Sequence, residues 1–323
     1  MKDQYGREID YLRISITDRC NLRCQYCMPD GIQHLSHRDV LRYEELLRVC
    51  QIATTLGITK FKVTGGEPLV RKGCVDFVRD LKVLQDVEQV TLTTNGMLLE
   101  EHVDALVQAG IDGINISLDT LDDDIYSRLT GAPPQATAIV RRAAAECVKS
   151  GIRTKINAVL LPETLDSVAD LAALAENLAM DVRFIEFMPV GTETGDSPIT
   201  AARVLQLLRL RWDDLHPANE YRGNGPAIYY QSDKLKGRIG FISAMSHKFC
   251  DTCNRIRLTS TGELKSCLCF EGVNDLREQL RGGATDEEIE LVLKDCIINK
   301  PCAHRFGERG AGTEGRSMHE IGG

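Results

Sequence analysis

Twelve cysteines are spread over this 323-residue chain, and six of them form two tight groups. Cys20, Cys24 and Cys27 fall within eight residues; Cys250 and Cys253 are followed, after thirteen residues, by Cys267. Clustered thiols in a reducing compartment hold metal or do redox chemistry, because disulfides do not persist there. Each group offers three thiolates. Structural zinc takes four closed tetrahedral ligands, whereas an iron–sulfur cube held by three cysteines keeps one iron open for a substrate or cofactor. The competing readings are a zinc loop completed by His34 or His37 in the first group, and zinc with Cys269 as fourth ligand in the second, where CxxC is a common zinc half-site. Cys50, Cys74, Cys147, Cys269, Cys296 and Cys302 are scattered and read as packing residues.

The first group follows a segment, Tyr11 to Thr17, in which Leu12, Ile14 and Ile16 alternate with Arg13, Ser15 and Thr17, the pattern of a strand with one polar face. A helix is expected from about Tyr43 to Leu56, with apolar positions three and four apart and Gly57 as its stop signal. Further strands are predicted at Lys60–Thr64, Gln89–Thr93, Gly113–Leu118, Thr154–Leu160 and Val182–Phe187, each after a helical stretch; Gly57, Gly110 and Gly151 end three of those helices. Strands alternating with helices imply right-handed crossovers and a parallel sheet. Polar residues gather just past the strand ends, at Thr64–Pro68, Thr93–Gly96, Ser117–Asp119, Asn157 and Glu186–Pro189, the rim where barrels carry their chemistry. A full eightfold barrel takes about 250 residues. Here the pattern stops near Pro189, so the expected α/β fold is an incomplete (β/α)6 TIM-like barrel over residues 1–195.

Beyond it the composition shifts. A loop over Gly191–Pro198, a helix over Thr200–Leu210, β-type segments at Ala227–Gln231, Arg238–Ser243 and Ile256–Cys267 with a Thr261-Gly262 turn, and helices at about Asn274–Arg281 and Asp286–Asn299 make a smaller α+β module, residues 196–323. That module would cover the open side of the barrel.

Composition narrows the function classes. Hydrophobic residues at 43% suffice for a sizeable core, and 39 Lys+Arg against 47 Asp+Glu give a net charge of −8, which argues against salt-driven binding to nucleic acid or anionic membrane. The N-terminus has no signal-peptide core and no apolar run is long enough to span a bilayer, so the expectation is a cytoplasmic protein. A zinc-stabilised RNA-binding protein would need a basic face and stacking platforms that this charge and 5% aromatic residues do not supply.

The CxxxCxxC loop after the first strand resembles the signature of radical S-adenosylmethionine enzymes. That resemblance extends to Gly65-Gly66-Glu67-Pro68 at the end of the second strand. The second cysteine group and the terminal Gly322-Gly323 narrow it: with TGGEPLVR, TLTTNG, INISLD, RFIEFMPVG and FCDTCNRIRLTSTGELKSCL, the chain resembles the GTP 3′,8-cyclase family end to end. The resemblance implies two [4Fe–4S] clusters, on Cys20, Cys24 and Cys27 and on Cys250, Cys253 and Cys267, and S-adenosylmethionine contacted by Tyr26, Gly66, Ser117 and Met188. It implies a GTP substrate held by Arg13, Lys62, Thr93, Lys155, Arg255, Ile256 and Arg257, with Arg13, Arg255, Arg257, Gly322 and Gly323 serving the catalytic step. GTP would bridge the two clusters and be cyclised through a ribose C3′ radical. Implied partners are a low-potential electron donor and the downstream cyclic pyranopterin monophosphate synthase, with a homodimer also open. Lys62 is a departure, since the family commonly carries Arg there. Arg316, near the tail, is expected to bring positive charge towards the triphosphate. A radical S-adenosylmethionine maturase acting on peptides is the runner-up; such enzymes usually carry more auxiliary cysteines.

Overall fold

The computed structural model describes all residues except 29–34, 192–198, 221, 273, 309–313 and 323, so His34 and Gly323 lie outside the described residues. Six strands come from the predicted barrel: β1 (Tyr11–Ser15), β2 (Lys60–Thr64), β3 (Gln89–Thr94), β4 (Gly113–Ser117), β5 (Thr154–Leu160) and β6 (Asp181–Glu186). Six come from the C-terminal part: β7 (His216–Pro217), β8 (Ile228–Gln231), β9 (Ile239–Ile242), β10 (Arg255–Leu258), β11 (Glu263–Lys265) and β12 (Asn274–Asp275). They form one sheet in the order β12-β11-β10-β1-β2-β3-β4-β5-β6-β9-β8-β7. Its end strands do not pair with each other among the described residues, so the barrel is open, as expected.

The C-terminal part does more than cover the opening. β10 runs parallel beside β1, and β9 runs parallel beside β6, which extends the barrel by one strand at each edge. Antiparallel β11 and β12 lie beyond one edge, and β8 and β7 beyond the other. Neither β9 nor β10 is preceded by a crossover helix of the repeating kind, so the alternation that announced the first six strands is silent about them.

Period-two alternation sorts every strand into two faces. Leu12, Ile14, Phe61, Val63, Val90, Leu92, Ile114, Ile116, Ile156, Val182, Ile256 and Leu258 are buried in one apolar core with helix residues such as Leu46, Val49, Cys50 and Ala53. Each such aliphatic side chain contributes about 1.5–3 kcal/mol on burial. Cys50, Cys74, Cys147, Cys269 and Cys296 are buried, as packing residues should be, but Cys302 is exposed. The expectation that all six scattered cysteines pack fails at that position, which lies in a turn after the last long helix.

The opposite face is polar and in register. Arg257, Arg13, Lys62 and Thr91 are successive partners across β10, β1, β2 and β3. Thr93, Asn115, Lys155 and Asp181 form a second row, and Asn157, Arg183 and Gly240 a third. Gly240 leaves room for its neighbour: a Cβ there would sit 2.9 Å from the Arg183 Cγ. No helix among the described residues is long and apolar enough to cross a membrane.

Candidate active site

The polar rows enclose a cavity of about 900 Å³, and both cysteine groups line it, Cys20, Cys24 and Cys27 together with Cys250, Cys253 and Cys267. The first cysteine loop is held by the ends of β2 and β3. Gly66 N–H donates to the Thr17 carbonyl at 2.7 Å and Glu67 N–H to that of Arg19 at 2.8 Å. A Cβ on Gly66 would lie 2.5 Å from the Arg19 oxygen, so this close approach of two backbones requires glycine. Glu67 is fully buried and accepts from Thr94 Oγ1 (2.8 Å), Asn95 N–H (2.6 Å) and Leu69 N–H (3.1 Å). Burial raises its carboxyl to about 7 against those hydrogen bonds. Asn95 then reaches the loop, donating to Asn21 Oδ1 at 2.7 Å, with Cys20 Sγ 3.8 Å away.

Tyr26 is fixed by its hydroxyl, which donates to Asp119 Oδ2 at 2.7 Å, while Asp119 Oδ1 accepts from Val159 N–H at 2.8 Å. Burial holds Asp119 at about 6. Tyr26, Gly66, Ser117 and Met188 all line the cavity.

The donor sets fit clusters. Burial pushes the Cys27 thiol up to about 12 and Cys24 well upward, so their thiolates need a compensating positive centre, which an iron cluster supplies. In the second group burial also raises Cys253, but the charges of Arg255 and Lys300 outweigh it and leave its thiol lowered. His304 N–H donates to Cys250 Sγ at 3.4 Å. Among the described residues no three His, Cys, Asp or Glu are grouped to hold a single metal ion.

Cys269 does not line the cavity; it packs with Val190, Phe306 and Ile321 and accepts from Arg305 N–H at 3.3 Å. If Cys250, Cys253 and Cys267 hold a cluster, Cys267→Ser should lose its iron and acid-labile sulfide, counted per chain, and Cys269→Ser should keep them. Loss in the Cys269 variant alone would exchange the two roles.

Nine cations line the cavity, and six of them, Arg13, Lys62, Lys155, Arg183, Arg255 and Arg257, stand on the strands that wall it. Desolvation pushes Lys62 well below its ordinary value, and the charges of Arg13, Arg183, Lys155 and Arg255 push it further. Arg257 is lowered in the same way, by burial and then by Arg13 and Arg255. Acids on the wall are already engaged: Asp181 with Arg222 and Lys155, Asp112 with Lys82, and Glu186 with Ser246 and the backbone N–H groups of Ala201, Met245 and Ser246. Thr93 Oγ1 and Arg255 Nε are buried without a partner. Such a surplus of desolvated positive charge calls for a polyanion.

Two positions differ from the sequence reading. Ile256, grouped with the GTP contacts, faces the other way and is buried in the apolar core, because it alternates with Arg255 and Arg257. Arg316 does not line the cavity; its Nε donates to Glu314 Oε1 at 2.9 Å and it also pairs with Glu263, so it anchors the tail instead of offering free charge. Sequence reasoning missed Arg183, whose Nε donates to Asn157 Oδ1 at 2.8 Å and Nη2 to Asn115 Oδ1 at 2.5 Å. The signal was available: a basic residue inside an apolar strand, the same logic that found Lys62 and Lys155.

The tail enters the cavity region. After a short helix, Met318–Ile321, Gly322 takes φ 77° and ψ 83°, and its carbonyl accepts from Arg257 Nη1 at 2.7 Å. A Cβ on Gly322 would lie 2.7 Å from the Ser15 Cβ. His319 Nδ1 is 3.3 Å from the Cys27 carbonyl oxygen, so the same segment touches the first cysteine loop.

Residues 14–175 match the radical SAM superfamily model, and residues 180–306 match Molybdenum Cofactor Synthesis C. A GTP 3′,8-cyclase of Clostridium perfringens (strain 13 / Type A) is 41% identical over the whole of both chains, and one of Heliobacterium modesticaldum is 42% identical over the whole of both. The chain belongs to the GTP 3′,8-cyclase family. A third relative of that name, from Paracoccus denitrificans, is 40% identical over 99% of this chain and 95% of its own. Membership of the radical SAM superfamily carries a [4Fe–4S] cluster and S-adenosylmethionine. Among solved structures, Streptococcus suis SuiB bound to S-adenosylmethionine superposes with a TM-score of 0.64 at 17% identity, covering 88% of this chain and 68% of that one. Native anSMEcpe with bound AdoMet gives 0.59 at 18% identity, over 96% and 93%. At such identities these two likenesses show the fold of this cyclase family and nothing more.

Proposed function

We propose that the chain cyclises GTP to (8S)-3′,8-cyclo-7,8-dihydroguanosine 5′-triphosphate, the first step of molybdenum cofactor biosynthesis. The observation that carries this reading is the set of converging cations between two groups of three cysteines in one cavity. Cys20, Cys24 and Cys27 would hold one [4Fe–4S] cluster beside S-adenosylmethionine, and Cys250, Cys253 and Cys267 a second one. When bound, the first cluster and S-adenosylmethionine supply the radical that removes a ribose hydrogen. On this reading Tyr26, Gly66, Ser117 and Met188 would enclose S-adenosylmethionine, and Arg13, Lys62, Lys155 and Arg183 would neutralise the triphosphate. Thr93, Arg255 and Arg257 would orient the nucleoside, and the Gly-Gly tail, of which Gly322 bonds Arg257, would serve the catalytic step. The barrel would span residues 1–195 and the C-terminal module 196–323. A low-potential electron donor, the downstream cyclic pyranopterin monophosphate synthase, a cytoplasmic location and a homodimer belong to the same reading.

Triphosphate binding has a proton signature. Desolvation, with Arg183 nearby, lowers Lys155 to about 7 against the attraction of Asp181. A bound polyanion raises that value, so at pH 8 GTP binding should take up protons, seen as a calorimetric heat that varies with buffer ionisation enthalpy. GMP should bind more weakly and take up less. Equal affinity for GTP and GMP with no proton uptake would remove the triphosphate from these cations.

A further inference from the structure

A guanidinium has five N–H donors, and Arg7 uses all of them. Nε donates to Asp3 Oδ2 at 2.6 Å. Nη1 donates to the carbonyls of Cys250 (2.7 Å) and Cys302 (3.0 Å), and Nη2 to those of Lys300 (3.3 Å) and Pro301 (2.7 Å). Asp3 sets the fork: its Oδ1 accepts from the N–H groups of Tyr5 and Arg7, each at 2.9 Å. Both Arg7 and Asp3 are buried, so this ion pair is shielded from solvent.

The acceptors are not scattered. One is the carbonyl of Cys250, a member of the second cysteine group, and three belong to consecutive residues, Lys300 to Cys302. Lys300 carries the grip onward. Its buried ammonium donates to the Arg255 carbonyl at 3.0 Å and to the Ser266 carbonyl. Arg255 lies two residues after Cys253, and Ser266 directly precedes Cys267. Four residues beyond Lys300, His304 N–H reaches Cys250 Sγ. Arg7 and the segment it holds therefore touch all three stretches that carry the second cysteine group, although Arg7 belongs to the other end of the chain.

We infer that Arg7, relayed by Lys300, is a positioning residue for the second cysteine site: it fixes the three thiols in the relation that a cluster needs. The inference rests on the proposed second cluster. Partners of this kind, which touch ligand-bearing backbone and not the metal, typically change metal affinity about 10- to 100-fold when removed. A lysine keeps the charge beside Asp3 but offers three donors from one point and cannot span four carbonyls.

The test uses the full chain with Cys20, Cys24 and Cys27 all changed to Ser, so that iron and acid-labile sulfide report the second group alone. In that background, with Arg7 intact, one cube per chain is expected after anaerobic reconstitution. Arg7→Lys should then lose iron to a chelator at least about tenfold faster, and Arg7→Met should lose it faster still. With all cysteines restored, Arg7→Met should keep the first cluster and its cleavage of S-adenosylmethionine, which separates a local effect from unfolding. Unchanged chelator rates in Arg7→Lys, or equal loss from both clusters in both variants, overturns the positioning role. No cube in the triple-serine chain with Arg7 intact removes the second cluster itself, and the positioning role falls with it.

Discussion

Gly322→Ala should lower GTP cyclisation by at least about a hundredfold, the order of loss expected when reacting groups are displaced by an ångström, while leaving the iron content unchanged. The backbone at Gly322 has φ 77°, where an L-residue is strained, and the new Cβ would meet the Ser15 Cβ at 2.7 Å. Strain at such a position costs of order 1–3 kcal/mol, and the tail can relieve it only by withdrawing. Withdrawal breaks the hydrogen bond from Arg257 Nη1 to the Gly322 carbonyl and frees a cation inside an already positive cavity. Deleting Gly322 and Gly323 should give the same result. Gly315, in the same tail, has nothing within 4 Å of an added Cβ, so Gly315→Ala serves as a control and should be nearly silent. The readout is cyclised nucleotide per chain at saturating GTP, with iron counted in parallel. A Gly322→Ala protein of wild-type rate would take the tail out of the site, and one that loses its clusters would make the tail a structural strap.

The second large effect has two opposite signs in one variant. Lys62→Met should weaken GTP binding by roughly thirtyfold or more, taking the 2–5 kcal/mol lost on truncating one partner of a buried charge pair. The same change should raise the melting temperature of the ligand-free protein. Desolvation and four neighbouring cations push the Lys62 value well down, so holding its proton costs stability when no anion is present. A group lowered in the folded state destabilises below its folded value, and the penalty is relieved as pH rises from there towards the unfolded 10.5. The gain from Lys62→Met should therefore be larger at neutral pH than at pH 10. Lys62→Arg should keep GTP binding, since charge is what the site requires. If Lys62→Met lowers ligand-free stability and leaves GTP affinity unchanged, Lys62 is a packing residue and not an anion ligand.

The parts of the fold that repeat were legible in the sequence, because each repeat announces itself by a change of hydrophobic period. β2 and β5 have the bounds read from their alternation, and β1, β3, β4 and β6 differ by one or two residues at their ends. What did not repeat was legible only in part. β9 and β10 overlap segments read as β-type, but their places beside β6 and β1 are fixed by tertiary pairing that no local pattern encodes. The site followed the same division. The cysteine groups are legible because thiolate spacing is itself the chemistry, and Arg13, Lys62 and Lys155 because a cation inside a strand is costly without an anion. Arg183 obeyed that rule and was overlooked. Arg316 obeyed a different one: close to the tail in sequence, it is held by Glu314 and Glu263, contacts of a kind that only the folded chain reveals. Arg7 was invisible for the reason that makes it useful, since its four carbonyl acceptors lie more than 240 residues away.

The most direct measurement of the reaction follows one hydrogen. Anaerobically reconstituted chain is given S-adenosylmethionine, a low-potential reductant and GTP carrying deuterium at ribose C3′, and the products are analysed by mass spectrometry. The expected products are 5′-deoxyadenosine with one deuterium and a cyclised dihydro-guanosine triphosphate in matching amount, both abolished in Cys24→Ser. Deuterium-free 5′-deoxyadenosine with GTP recovered intact would contradict that reaction.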